Sequence, residues 1–238
     1  MKKEIVLFIL ISLILITSLI AIISSEGSDS SSATEWLMFG RTLNHSFWDG
    51  NNFSTILGLN NANFTTSCSV ESSLSIVRGY VYTGTSRISC PDHNLYQLNA
   101  SNISQQIANY SGEISLYSPV TVGDYVYITG IDTILYQLNA SNVSQQLGNF
   151  TTGNYIESSP AISGGYVYIG SNDNIFYQLN ASNVSQQIAS VTMDGTVIFS
   201  PTVANSYVYI GALNSPFYQL NASNVSQQIA NFTVSSYS

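Results

Sequence analysis

The sequence predicts an all-β fold, a β-propeller of four-stranded antiparallel blades, and three observations carry that reading. Tyr177-Gln-Leu-Asn-Ala-Ser-Asn183 is written four times, with the other copies starting at Tyr96, Tyr136 and Tyr218, at offsets of 40, 41 and 41 residues. Tyr166-Val-Tyr-Ile-Gly170 recurs as Tyr80 to Gly84, Tyr125 to Gly130 with one extra Thr, and Tyr207 to Gly211. The runs between these landmarks are short, rich in Tyr, Val and Ile, and bounded by Gly, Pro, Asn and Ser. A fixed period of about forty residues built from short β-rich runs is how a blade-by-blade array writes itself in sequence.

At the amino terminus, Lys2 and Lys3 precede a run from Ile5 to Ile23 whose only polar members are Ser12, Thr17 and Ser18. That length nearly spans a bilayer core, which takes about twenty residues, and exceeds the usual secretory h-region of about 7 to 15. Ala21-Ile-Ile-Ser24 is a poor cleavage site, so an uncleaved anchor is favoured over a cleaved signal peptide for residues 1–25. Both readings leave the lysines in the cytoplasm and export the rest. Residues 26–35 read as a flexible Ser-rich linker, and 36–238 as the repeat region.

The third repeat shows the unit most clearly. Ser159-Pro160-Ala-Ile-Ser-Gly-Gly165 opens with Pro at the start of a strand, where its missing N–H disturbs the ladder least, and Gly164-Gly165 makes a tight turn. Tyr166 to Gly170 is a second strand, apolar on both faces as a blade sandwiched between neighbours requires. Ser171 to Asn174 turns the chain into a third strand, Ile175 to Leu179. Asn180-Ala-Ser-Asn183 is the next hairpin loop, with Asn able to take positive φ where Gly would otherwise be used, and Gln186 to Val191 is the outer strand with its polar residues in solvent. Blades are expected at about 67–108, 109–148, 149–190 and 191–232, and Ile56 to Phe64 fits the outer strand of a preceding blade.

Residues 158 to 183 resemble the pyrroloquinoline-quinone (PQQ) repeat of quinoprotein-type propellers, a family that includes outer-membrane assembly scaffolds. Glu35-Trp-Leu-Met-Phe-Gly-Arg-Thr-Leu-Asn-His-Ser46 is similar to the Trp-x-x-Phe-x-x-x-x-x-x-His segment that often precedes such arrays. The resemblance covers roughly residues 35 to 238 and implies the propeller fold. Three departures qualify what else it implies. The family commonly has Asp-Ala-x-Thr-Gly followed by a Trp that docks neighbouring blades. This chain has Asn-Ala-Ser-Asn, with Ile107, Leu147, Ile188 and Ile229 at or near the Trp position, so aliphatic blade contacts are expected there. Cofactor-binding members carry a vicinal Cys pair and a calcium-binding carboxylate and amide set, which nothing here matches, so no cofactor is expected. Families of this kind usually close with seven or eight blades; four are found, which fits a gene fragment, an open half-ring or a small four-bladed ring, and an incomplete or open ring is expected.

Composition narrows function. The net charge is −8, only 8% of residues are charged, and Arg41, Arg78 and Arg87 are the only cations after Lys3. Nucleic-acid binding needs an array of Lys and Arg to displace counterions, and this chain has none to offer. With 45% hydrophobic content, sixteen Tyr and ten Phe, it has ample material for a core. Cys68 and Cys90 are the only cysteines, and an even count in an exported chain favours a disulfide over two buried thiols.

Fourteen Asn-x-Ser/Thr sequons run along the chain, among them Asn44, Asn52, Asn63, Asn109, Asn149, Asn231 and both Asn residues of each Asn-Ala-Ser-Asn loop. In an exported protein these are candidate glycan acceptors on exposed turns, although a chain this rich in Asn and Ser also generates sequons by chance. Acid–base chemistry has little to work with. His45 and His93 lie outside the repeated blade positions, Asp92, His93 and Cys90 lack usable metal-ligand spacing, and Asp132 and Asp173 read as turn residues. The paired tyrosines of Tyr-Val-Tyr read as inter-blade core, with any exposed Tyr ends available to a protein or glycan partner. The sequence therefore points to a non-catalytic binding or assembly scaffold outside the cytoplasm, membrane-anchored through residues 5–23 or secreted. A PQQ-dependent dehydrogenase or its remnant, and a glycosylated surface-coat or adhesion protein, are the alternatives.

Overall fold

Among the described residues the chain forms four copies of one meander. The computed structural model describes residues 63–68, 70, 72–85, 93–112, 117–129 and 132–233. All of these lie in one compact unit, Glu35–Ser238; the other unit, Met1–Thr34, lies outside the described residues, and with it the expected membrane segment. Among the described residues no helix is long and apolar enough to cross a membrane.

The first sheet is β1 (Ser75–Val77), β2 (Tyr80–Gly84), β3 (Asn94–Asn99) and β4 (Asn102–Ser111). The second is β5 (Val120–Val122), β6 (Tyr125–Thr129), β7 (Ile134–Asn139) and β8 (Asn142–Thr151). The third is β9 (Ala161–Ser163), β10 (Tyr166–Gly170), β11 (Ile175–Asn180) and β12 (Asn183–Thr192). The fourth is β13 (Thr202–Ala204), β14 (Tyr207–Gly211), β15 (Phe217–Asn221) and β16 (Asn224–Phe232). Each is antiparallel, with strands hydrogen-bonded in chain order. The all-β, four-stranded antiparallel expectation holds across all four sheets.

The repeat sequence explains each element. Pro119, Pro160 and Pro201 are buried immediately before β5, β9 and β13, where no ladder N–H is needed. Gly164 and Gly165 have φ of +59° and +82°, the left-handed pair of a tight hairpin turn; Asn205 and Ser206 take the same place in the fourth sheet, at +51° and +66°. In the first three sheets the middle strands are buried along almost their whole length, and the outer strands carry a run of exposed polar residues.

Two details differ from the expected unit. The Asn-Ala-Ser-Asn hairpin is tighter, because Asn180 pairs with Asn183 and only Ala181 and Ser182 form the loop. None of its Asn residues has positive φ. The Asn180 side-chain oxygen accepts the Ser182 N–H at 2.9 Å, and the Asn183 oxygen accepts the Ser185 N–H at 3.2 Å. Asn thus caps the turn with its side chain rather than with a left-handed backbone. The outer strands also start earlier and run longer than Gln186 to Val191, so the divisions placed at 108/109, 148/149 and 190/191 fall within β4, β8 and β12.

Successive sheets pack face to face through three apolar clusters. Val77, Tyr82 and Leu95 of the first meet Val126, Tyr136 and Leu138 of the second. Tyr127 and Leu135 meet Val167, Ile169, Tyr177 and Leu179, and Tyr168 and Phe176 meet Val208, Ile210, Tyr218 and Leu220. Each of these side chains contributes roughly 1.5–3 kcal/mol on burial, so the faces between blades hold most of the stabilising area. Phe64 packs edge-on against Tyr96 at 5.0 Å, as Tyr110 packs on Tyr136 at 5.4 Å and Phe150 on Tyr177 at 5.2 Å. It therefore sits where the end of a preceding outer strand would; the rest of that expected strand, residues 56–62, lies outside the described residues.

Candidate functional site

Between the blades lies one polar contact, repeated three times. Tyr168 donates its hydroxyl to the Ala222 carbonyl at 2.5 Å, the Gln178 amide donates to the same carbonyl at 3.0 Å, and the Val225 N–H donates back to Gln178 Oε1 at 3.0 Å. Tyr127 and Gln137 grip Ala181 and Val184 with distances of 2.5, 2.9 and 3.2 Å. Tyr82 and Gln97 do the same to Ala140 and Val143. Each blade thus holds the Ala-Ser turn of the next with a tyrosine from its second strand and a glutamine from its third. Gln97, Gln137 and Gln178 are buried with both ends of the amide used, as a buried polar group requires.

A second series runs along the innermost strands. The N–H groups of Ser73, Ser118 and Ser159 donate to Oγ of Ser118, Ser159 and Ser200 at 3.1, 3.1 and 3.0 Å. The Ser-Pro pair that opens each of the later blades supplies the hydroxyl acceptor as well as the strand start.

The fourth blade presents the same face with nothing described against it. Tyr209 and Gln219 stand where Tyr168 and Gln178 stand one blade earlier, but among the described residues they reach only each other, at 3.5 Å. Tyr168 stacks on Phe176 beneath the fourth blade, and Tyr209 stacks on Phe217 at 6.3 Å in the open. Phe199, Phe217 and Phe232 are 49%, 47% and 67% exposed. Phe199, Tyr209, Ile210, Pro216 and Phe217 line a groove of about 650 Å3 on this face. An apolar groove with a hydrogen-bonding group such as the Tyr209 hydroxyl in its lining is the usual form of a recognition surface.

Burial pushes the lock tyrosines up from the ordinary phenol range, Tyr168 to about 12, with Tyr82 and Tyr127 raised further by the same cause. They are therefore neutral donors across the physiological range, as a hydroxyl facing a carbonyl must be. Tyr136 and Tyr177 are raised by burial and then by Asp132 and Asp173, whose carboxylates accept their hydroxyls. Asp173 also accepts the N–H groups of Gly153 and Ile175, at 2.8 and 2.9 Å. Both aspartates are turn-holding residues, in line with their reading from sequence.

The aliphatic positions expected to dock blades do not do so. Ile107, Leu147, Ile188 and Ile229 are between 40% and 51% exposed. The ladder shows why. Gln178 pairs with Ala189 and the next residue, Leu179, pairs with Gln187, so Ile188 is the extra residue of a β-bulge and points off the blade. Docking falls instead to the apolar clusters between the blades and to the Tyr and Gln lock. Its signal in the sequence is a Gln at a fixed place in the middle of a strand that is otherwise apolar on both faces.

Of the other residues singled out from sequence, Cys68 is buried and disulfide-bonded, and Cys90 lies outside the described residues. Asn44 and Asn52 lie outside them too, while Asn63, Asn149 and Asn231 are exposed and Asn109 is half-buried. Among the described residues no three His, Cys, Asp or Glu side chains converge on a common point. The described residues do not supply the donor set of a calcium–quinone centre.

No family model and no curated protein matches the chain. Its fold is similar to that of many solved structures, three among them as follows. BamB from Moraxella catarrhalis superposes with a TM-score of 0.59 at 13% identity, over 71% of this chain and 54% of that one. The computationally designed Ika4 protein gives 0.54 at 14% identity, over 67% and 96%. The quinohemoprotein alcohol dehydrogenase ADHIIG from Pseudomonas putida HK5 gives 0.58 at 14% identity, over 72% and 35%. The chain spans about half the length of BamB. These likenesses support a PQQ-like propeller fold.

Proposed function

We propose that this chain is a non-catalytic, extracytoplasmic propeller-repeat scaffold that binds or assembles a protein partner through the face of its fourth blade that no described residue covers. The observation that carries the reading is that face: the groove beside Phe199 and Phe217, with the Tyr209 hydroxyl and Gln219 amide left without the turn that their counterparts hold. A β-hairpin with a small residue at its turn offers the carbonyl and N–H these groups need, set in apolar surface that the exposed phenylalanines would cover. The resemblance to quinoprotein-type propellers, which include outer-membrane assembly scaffolds, supports both the role and the placement outside the cytoplasm. Residues 5–23 supply the membrane anchor or export signal.

The test is a photo-crosslinking amino acid placed at Phe217, and separately at Gln187 on the outer strand of the third blade, in the full chain in its source cells. A discrete adduct at Phe217 that weakens when Gln219 and Tyr209 are replaced by Leu and Phe, with none at Gln187, is the expected result. The same products from both positions, or none from Phe217, would overturn the reading.

A further inference from the structure

Each blade places two sequons side by side, and the structure gives their asparagines different work. In the first Asn of each pair the side-chain amide is already committed. Asn99, Asn139, Asn180 and Asn221 each donate Nδ2 to a glutamine on the outer strand, Gln105, Gln145, Gln186 and Gln227, at 2.9 Å in every blade. Their Oδ1 atoms accept the N–H two residues on. They are half-buried.

The second Asn of each pair is arranged differently. Asn102, Asn142 and Asn183 are exposed and Asn224 is half-buried, and no described group accepts from their Nδ2. Oδ1 accepts the N–H of the sequon serine at 3.1 to 3.2 Å. In three blades the serine hydroxyl donates to that oxygen as well, Ser104 at 2.6 Å and Ser144 and Ser226 at 2.7 Å. The sequon is therefore already folded into a compact turn with its amide nitrogen outward.

The ladder leaves these segments free on one side. Asn99 pairs with Asn102 and Leu98 with Gln106, so Ile103, Ser104 and Gln105 have no partner on β3; the same gap recurs in the other blades. Asn109, by contrast, donates Nδ2 to Ser111 at 3.2 Å, and Asn149 and Asn231 sit within regular ladder opposite Tyr136 and Tyr218. The blades differ in one respect. Val143, Val184 and Val225, the middle residues of the later sequons, are fully buried and give their N–H to the preceding blade's glutamine, whereas Ile103 is only half-buried.

We infer that, within each pair, Asn102, Asn142, Asn183 and Asn224 are the N-glycan acceptors of the folded chain, one per blade in a row along the outer-strand hairpins, with Asn102 the most readily modified. The donor is a lipid-pyrophosphate-linked oligosaccharide. Nδ2 attacks the anomeric carbon of the sugar, the Nδ2–C1 bond forms, the C1–oxygen bond to pyrophosphate breaks, and the electron pair leaves with the lipid pyrophosphate. Nδ2 gives up one proton to a base on the transferase. An amide already donating to a glutamine would have to break that bond first, which sets the paired asparagines apart. The inference rests on the extracytoplasmic placement proposed above for its occurrence in the cell, but the acceptor geometry is a property of the folded chain alone.

The test uses the full chain made without glycans, purified folded, and incubated with an oligosaccharyltransferase and its lipid-linked donor; denatured chain is the control for enzyme activity. Occupancy is read at every sequon by peptide mapping after enzymatic deglycosylation in 18O water. Asn102, Asn142, Asn183 and Asn224 should together carry at least about five times the occupancy of Asn99, Asn139, Asn180 and Asn221, with Asn102 leading. S104A should abolish modification at Asn102, and Q105A should raise it at Asn99. Equal occupancy within the pairs, or transfer to the denatured chain with none to the folded one, would overturn the inference. Fractionation of the source cells separates this from the functional reading: a cytoplasmic location would sink the scaffold's placement and leave the acceptor preference standing.

Discussion

Gln137 is buried on every side, yet its amide is fully used: Nε2 donates to Ala181 in the next blade and Oε1 accepts the Val184 N–H. Replacing it with Leu keeps the volume but strands that N–H in an apolar interface, and an orphaned buried donor costs about 1–3 kcal/mol. Gln219 has no such work, reaching only Tyr209 among the described residues, at 3.5 Å. We expect Q137L to lower the urea midpoint by an amount equivalent to about 2 kcal/mol, and Q219L to change it by less than about 0.5 kcal/mol. Similar losses for both variants would mean that the glutamine is only a space-filler.

At the scale of the strand and its turn, close approach requires glycine at position 170, as it does at Gly195, where a Cβ would lie 2.1 Å from the Leu213 carbonyl oxygen. A Cβ on Gly170, at the end of β10, would lie 2.3 Å from Val197 Cγ1 and 2.7 Å from the Val197 carbonyl oxygen, both in the strap leading to the fourth blade. At Gly84 the nearest atom is 3.6 Å away, in ordinary contact. G170A should therefore destabilise by about 2–3 kcal/mol and G84A by well under 1 kcal/mol, as read from thermal or urea unfolding. The period, the Pro-led inner strands and the Gly-Gly turn were all legible in the sequence, because each follows from local backbone chemistry repeated in register. The part played by Asn180 and Asn183 was not, since the same residue that tolerates a left-handed backbone also caps a turn with its side chain. Nor was the exposure of Ile188: a bulge is decided by how the hairpin closes, and a one-residue offset sends a side chain to the other side of the sheet. The lock glutamines stood in the repeated heptapeptide, but sequence alone does not tell a buried amide with two partners from an exposed one.

For the array as a whole, stability is the sum of blade and interface terms, so a blade covered on one face should open before one covered on both. Amide hydrogen exchange should show β14 and β15 less protected than β10 and β11; equal protection would mean that the fourth face is covered in solution. The tyrosines give the molecule an alkaline limit. A phenol whose pKa is raised on folding holds its proton after the unfolded chain has lost it, so its contribution is intact below the unfolded value of about 10 and is lost as pH climbs through the folded one. With Tyr168 at about 12 and Tyr82, Tyr127, Tyr136 and Tyr177 also raised, the urea midpoint should be level from about pH 7 to 9 and fall steeply from about 10 to 12. Y168F should make that fall shallower, and an unchanged slope would remove Tyr168 from the account.

The Ser73, Ser118, Ser159 and Ser200 series shares a direction with the lock, in that each blade supplies one half of a contact whose other half belongs to its successor. Both halves lie within a single forty-residue unit. Any in-frame tandem duplication of that unit therefore arrives already matched at both seams, and the gene can lengthen or shorten by whole modules without evolving a new joint.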